Sequence, residues 1–241
     1  MSERATQAPG KSRKKPNWKS IAGVIDHTLL RPDATHNQVV RLCQEALHFH
    51  FATACVHPWW IGLAESRVRG SGINVATAIG FPHGATFTSV KHFEAVAALR
   101  RGANELDVVI NIGALKSGQY SLVESEIRRI AKAAHDRGAI VKAILEVSLL
   151  SREEKITACE LAVNAEADFV KTSTGFAGGG ATVEDVRLLR SLVGRSVGVK
   201  ASGGIRTASQ VAAMLHAGAN RIGTNSAVKI MRELGAPEPP G

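Results

Sequence analysis

Eight short runs of β-branched and small apolar residues recur along the chain, and the longer stretches between them repeat apolar positions every three or four residues. The runs are AGVID from 22, ATACV from 52, INVATAIGF from 73, ELDVVI from 105, AIVKAIL from 139, DFVKTS from 168, SVGVKA from 196 and NRIGT from 220. This alternation marks consecutive β-α units joined in a parallel sheet. The intervening stretches carry helix-start signals, a hydroxyl followed three residues later by an acid or amide. Thr35 with Gln38, Ser121 with Glu124, Ser151 with Glu154, Thr182 with Asp185 and Thr207 with Gln210 all fit. Val123, Ile127 and Ile130 then share a helical face, as do Val211, Met214 and Leu215. Eight units in about 250 residues are what a closed (β/α)8 barrel of the TIM type requires, whereas an open doubly wound sheet more often has five to seven strands. The expected architecture is a single-domain α/β barrel over 21–234, with its active site at the C-terminal mouth of the strands.

Composition adds little to this picture. The 241 residues are 44% hydrophobic and 21% charged, ordinary for a globular domain. The formal charge of +9 would suggest an anionic partner, but Arg4, Lys11, Arg13, Lys14, Lys15 and Lys19 against Glu3 put +5 of it in the first twenty residues. Residues 1–20 are read as a solvated basic arm and 235–241, with three prolines, as a frayed tail. A nucleic-acid partner is not expected, because the arm has no aromatic interleaving beyond Trp18. Cys43, Cys55 and Cys159 lack metal-type spacing and leave one thiol unpaired in any disulfide scheme, which fits a reducing, cytoplasmic setting. A basic transit peptide is also compatible with the first twenty residues. No apolar run approaches the roughly 18 residues that a membrane span needs.

The chemistry lies on the strands. Lys142, Lys171 and Lys200 stand where apolar residues belong and are spaced 29 residues apart, close to one β-α-β repeat, which predicts matching heights on successive strands. A single such lysine can snorkel to solvent. Three clustered ammoniums instead depress one another's pKa from about 10.4 and yield a neutral, nucleophilic amine near neutral pH. Such an amine forms a Schiff base with a carbonyl. Asp107 in ELDVVIN is the complementary acid, either a structural ion-pair partner or a proton relay, and Asp26 and Glu146 at strand ends are available to balance the remaining charge. After the seventh run come Ser202, Gly203, Gly204 and Arg206, and after the eighth Gly223, Thr224, Asn225 and Ser226. Loops at those positions of a barrel commonly hold a phosphate, and Gly175 after the sixth run allows similar close approach.

These residues resemble the deoxyribose-phosphate aldolase family, Schiff-base aldolases on a (β/α)8 barrel. The resemblance runs from about Ile25 to Ile230 through IDHTLL, ATACVHP, GFPHG, ELDVVIN, VKAILE, DFVKTSTGF, VKASGGIR and RIGTNSAVKI. It implies reversible cleavage of 2-deoxy-D-ribose 5-phosphate to D-glyceraldehyde 3-phosphate and acetaldehyde, without metal or organic cofactor. It further implies Lys171 as the Schiff-base lysine, Lys200 as the neighbour that lowers its pKa, Asp107 as proton donor and acceptor, and Lys142 as part of the charge network. Asp26, Thr28, Leu30, Cys55 and Thr174 would contact substrate, and Gly175, Gly203, Gly204, Asn225 and Ser226 would cradle the phosphate. A dimer or tetramer would be the assembly.

Three positions depart from the family's pattern: Asn225 replaces a serine in the phosphate loop, and His57 and Val147 differ after the second and fifth strands. The one tyrosine, Tyr120, is expected in a loop before a helix, so the C-terminal tail offers no phenol to the site. Another Schiff-base sugar-phosphate aldolase or dehydratase shares the lysine chemistry. A phosphate- or nucleic-acid-binding protein with an idle barrel is the non-enzymatic alternative.

Overall fold

A computed structural model describes residues 17–239. Eight strands, β1 (Ile25–Leu29), β2 (Thr53–Val56), β3 (Asn74–Ile79), β4 (Glu105–Val109), β5 (Ile140–Ile144), β6 (Phe169–Lys171), β7 (Gly198–Ser202) and β8 (Arg221–Thr224), close into a parallel barrel in chain order. Around it lie the helices α1 (Trp18–Ala22), α2 (His36–Phe49), α3 (Ile61–Val68), α4 (Thr88–Arg100), α5 (Ile112–Lys116) and α6 (Tyr120–His135). The ring is completed by α7 (Arg152–Asn164), α8 (Val183–Val193), α9 (Ala208–Ala217) and α10 (Ala227–Glu233). The expected barrel is what forms.

Helix starts follow the sequence signals with one exception. Thr35, Ser151 and Thr207 form full capping boxes, and the Thr182 hydroxyl accepts from the Asp185 N–H. Ser121 does not cap. The turn at Gly118 (φ 72°) feeds directly into α6, which starts at Tyr120 with Gln119 as its cap, so Ser121 lies inside the first turn and Tyr120 is helical rather than in a loop. The first apolar run is likewise split. Ala22 ends α1, which packs on the core, and the strand begins only at Ile25.

Both expected tails are partly ordered. Helix α1, capped by the Asn17 side chain, starts inside the stretch assigned to the arm, while residues 1–16 lie outside the described residues. At the other end Arg232 pairs with Glu238 at 2.7 Å, and the Ala236 N–H donates to Met231, which ties the described part of the tail to α10.

Most of the apolar core lies between strands and helices. The inside of the barrel is different, with a layer of long charged side chains accommodated by small neighbours. A Cβ at Gly198 would meet the Phe169 ring at 2.2 Å, and one at Gly223 would come within 3.0 Å of Lys200 Cε. Behind the sheet, the fully buried Lys91 of α4 donates to Glu126 of α6 at 2.6 Å and to the Val109 carbonyl at 2.8 Å, linking two helices to the mouth end of β4. Removing one partner of such a pair strands the other charge. Lys91→Met should therefore destabilise the protein by about 3 kcal/mol, and Lys91→Met with Glu126→Met should recover much of that loss, as measured by urea unfolding.

Candidate active site

Strand pairing brings Lys171 and Lys200 side by side, but Lys142 pairs with Phe169, two residues below Lys171. The expectation of matching heights therefore holds for two lysines of three. The 29-residue spacing reports the length of a β-α unit, whereas height depends on the stagger between strands, which closing a barrel imposes.

Each lysine finds carboxylates. Asp107 accepts from Lys171 at 2.7 Å, Lys200 at 2.6 Å and Lys142 at 2.9 Å. Lys142 also reaches Glu105 at 2.5 Å, and Lys200 reaches Asp26 at 2.5 Å. Arg221 joins the two outer carboxylates, 2.8 Å from Asp26 and 2.6 Å from Glu105. The contacts close a ring of alternating sign, Asp107, Lys142, Glu105, Arg221, Asp26 and Lys200, with three anions and three cations. Lys171 hangs from Asp107 outside that ring.

The protonation equilibria follow this arrangement. Burial disfavours charge on every member. At Asp107 the three lysines overcome it and hold the carboxyl well below its usual range, and at Asp26 Lys200, Lys142 and Arg221 do the same. Burial likewise opposes the charges on Lys200 and Lys142, but Asp107 with Asp26 or Glu105 holds both ammoniums above their ordinary value. Lys171 goes the other way. Burial lowers its pKa, Asp107 and, more weakly, Cys55 resist, and the neighbouring Lys200 lowers it further. Mutual repulsion among lysines, the cause expected from sequence, is thus the smaller contribution; Lys200 presses on Lys142 as well, but only at Lys171 does the net shift go down.

Lys171 opens into a cavity of about 180 Å3 at the mouth, lined also by Thr28, Leu30, Arg31, Thr174, Phe176 and the loops after β7 and β8. Gly175, Gly203 and Gly204 line it with positive φ of 86°, 90° and 76°, and their N–H groups donate to no acceptor among the described residues. A run of free N–H groups on left-handed backbone forms an anion-binding concavity. At Gly203 a Cβ would come within 2.9 Å of Gly180 Cα, so the loops after β6 and β7 can meet only as glycines. Asn225 lines the cavity. Ser226 does not, and its N–H is taken by the Thr224 hydroxyl at 2.9 Å.

Several expected substrate contacts lie elsewhere. Asp26 is under the floor as part of the charge ring. Cys55 is fully buried in a small apolar cluster with Leu30, Ala76 and Ala78, flanked by Phe81, and burial pushes its thiol up to about 11. Glu146 balances no lysine; its carboxylate accepts from the N–H and hydroxyl of Thr174. His57 hydrogen-bonds the Leu30 carbonyl at 2.9 Å, and the Val147 side chain is buried in the apolar core, so both residues serve packing around the mouth. Of the two tryptophans after β2, Trp59 is exposed and Trp60 packs on the core.

Sequence reading missed Arg221 and Glu105, which complete the ring, and gave no role to Arg31, which lines the cavity with Arg206 of the expected phosphate loop. The first two were legible as charged residues on β8 and β4. Their register was not.

A parallel barrel that keeps one amine short of protons beneath an anion-binding cavity has the equipment of a lyase for phosphorylated carbonyl compounds. Comparison with known proteins narrows that class. The model of the DeoC/LacD family aldolases matches residues 21–230. A deoxyribose-phosphate aldolase of Thermococcus kodakarensis is 55% identical over 224 residues, covering 92% of this chain and 99% of the relative. One from Halalkalibacterium halodurans is 54% identical over 214 residues, 88% of this chain and 95% of the relative. The tetrameric structure of deoxyribose phosphate aldolase from Aeropyrum pernix superposes with a TM-score of 0.85 at 37% identity, covering 90% of this chain and 92% of that one. The chain belongs to the DeoC/LacD aldolase family.

Lys200→Met removes the cation that presses on Lys171 and leaves Asp107 to hold its proton. Imine formation with acetaldehyde, followed across pH, should therefore move to higher pH in this variant.

Proposed function

We propose that the protein catalyses the reversible cleavage of 2-deoxy-D-ribose 5-phosphate to D-glyceraldehyde 3-phosphate and acetaldehyde through a Schiff base on Lys171. The observation that carries this reading is the charge arrangement, in which Lys171 alone of the three strand lysines lies outside a balanced ring and has a lowered pKa. Neutral Lys171 Nζ attacks the C1 aldehyde of the open-chain sugar, and loss of water leaves a protonated imine. The C3 hydroxyl then gives up its proton, the C2–C3 bond breaks, and its electron pair flows into the iminium to form an enamine. Glyceraldehyde 3-phosphate departs. Protonation of the enamine carbon and hydrolysis release acetaldehyde and restore the amine.

Asp107 and Lys200, hydrogen-bonded to each other at 2.6 Å, relay the protons together with water. The iminium places a positive charge where an ammonium would stand, so Asp107 stabilises that intermediate as it forms. Lys142 fixes the second oxygen of Asp107 at 2.9 Å. The free N–H groups of Gly175, Gly203 and Gly204, with Asn225 and the unpaired guanidinium of Arg206, receive the phosphate, while Thr28, Leu30 and Thr174 flank the sugar. The imine itself is the electron sink, so the reaction calls for no metal or organic cofactor. A homo-oligomer is the favoured assembly, supported by the tetrameric relative, and cytoplasmic residence fits a chain in which no helix of the described residues is long and apolar enough to cross a membrane.

Borohydride trapping with acetaldehyde tests the reading. A reduced two-carbon adduct is expected on the peptide containing Lys171 and on no peptide containing Lys142 or Lys200. Lys171→Leu should fold and trap nothing. Equal trapping in that variant, or turnover of a ketose phosphate with none of 2-deoxyribose 5-phosphate, would refute it.

A further inference from the structure

Glu146 stands two residues beyond β5 in a conformation that its side chain disfavours, φ 56° and ψ 61°. Left-handed backbone is unfavourable for a residue with a Cβ, and glycine or asparagine would hold the same turn at less cost. The side chain is also buried, at 1% exposure, with one carboxylate oxygen lacking any hydrogen-bond partner. Burying a carboxylate that meets no cation is unfavourable unless something depends on it. Strain and burial at one residue beside a binding cavity point to a functional constraint.

Among the described residues the single hydrogen-bonding partner of this carboxylate is Thr174, whose N–H donates at 3.1 Å and whose hydroxyl donates to the same oxygen. The Thr174 oxygen in turn accepts from the Phe176 N–H at 3.1 Å. These bonds bracket Gly175, whose own N–H is left free at the cavity. The same loop is pinned further on. A Cβ at Gly179 would meet Ser148 Cβ at 2.3 Å, two residues beyond Glu146, and the Ala181 N–H donates to the Gly203 carbonyl at 3.1 Å. The loop after β6 is therefore strung between the turn that follows β5 and the glycines that follow β7. Glu146 is its post.

We propose that Glu146 is a positioning residue for the anion cradle. It holds Thr174 through both donors, which fixes the Gly175 N–H beside those of Gly203 and Gly204 before substrate arrives. The inference rests on the aldolase reading for its substrate, while the preorganised cradle is a property of the loop itself. A preorganised donor set loses less freedom when the anion binds, so the effect falls on recognition of the phosphate and not on chemistry at Lys171.

The test is a set of variants assayed with 2-deoxyribose 5-phosphate and with unphosphorylated 2-deoxyribose. Glu146→Met keeps the bulk and removes the acceptor; it should raise KM for the phosphorylated sugar about tenfold, the equivalent of about 1.4 kcal/mol, with kcat little changed. Turnover of the unphosphorylated sugar and borohydride trapping of acetaldehyde on Lys171 should stay within about twofold. Glu146→Gln, which retains an acceptor for Thr174, should restore most of the KM. If Glu146→Met folds poorly, Glu146→Gly suits the left-handed backbone and carries the same expectation. Inorganic phosphate titrated by calorimetry should bind more weakly to the Met or Gly variant than to wild type. Equal losses with both sugars, or an unchanged affinity for inorganic phosphate, would overturn the proposal. Failure of wild type to trap acetaldehyde on Lys171 would sink the aldolase reading instead, and the phosphate titration would still decide the role of Glu146.

Discussion

The structure depends on balancing charge inside a barrel. Four cations and three carboxylates are buried where a (β/α)8 barrel ordinarily stacks branched apolar side chains. Such groups are tolerable in low dielectric only when each sign is matched. Six of the seven charges satisfy that condition as a closed ring. The seventh, Lys171, is matched only by sharing Asp107 with two other lysines, so the cluster is electroneutral when Lys171 is not protonated. The lowered pKa of Lys171 thus follows from counting charges as much as from crowding lysines.

This constraint also explains the distribution of small residues. Gly198 and Gly223 leave room for Phe169 and the Lys200 stem, and Ala76 and Ala78 face the apolar side of the mouth with Cys55 and Leu30. Above the charge layer, positive-φ glycines in the loops after β6 and β7 line the cavity with N–H groups that donate to no acceptor among the described residues. The site therefore has two tiers, a rigid charged floor on strands and a backbone cradle on loops. Strands suit the floor because their register fixes side-chain distances, and glycine loops suit the cradle because only backbone without a Cβ approaches an anion so closely.

Much of this was legible in the sequence. The eight apolar runs named all the strands, since β-branched runs separated by capped helices admit few other architectures. The three strand lysines and Asp107 stood out because each interrupts an apolar run. Register was not legible, because a constant 29-residue spacing conceals the stagger of the strands, and so Lys142 was expected at the height of Lys171. Arg221 and Glu105 were overlooked for the same reason, since their partners are reached across the barrel and not along the chain. Asp26 was visible as a strand acid that could balance charge, as its bonds to Lys200 and Arg221 beneath the floor bear out, although the family resemblance also cast it as a substrate contact. Glu146 was read as a spare counter-charge, whereas its backbone conformation and its bonds to Thr174 exist only in three dimensions.

The central claim is that the ring keeps Lys142 and Lys200 charged and leaves Lys171 as the amine that gives up its proton. NMR titration of protein labelled at lysine Nζ tests it most directly, with Lys171→Met to assign the signal. The account expects two buried amines to titrate below the ordinary lysine value of 10.5, that of Lys91 and one that is absent from the Lys171→Met variant, while Lys142 and Lys200 stay protonated where the latter titrates. Loss of a proton from Lys200 or Lys142 before Lys171 would contradict it.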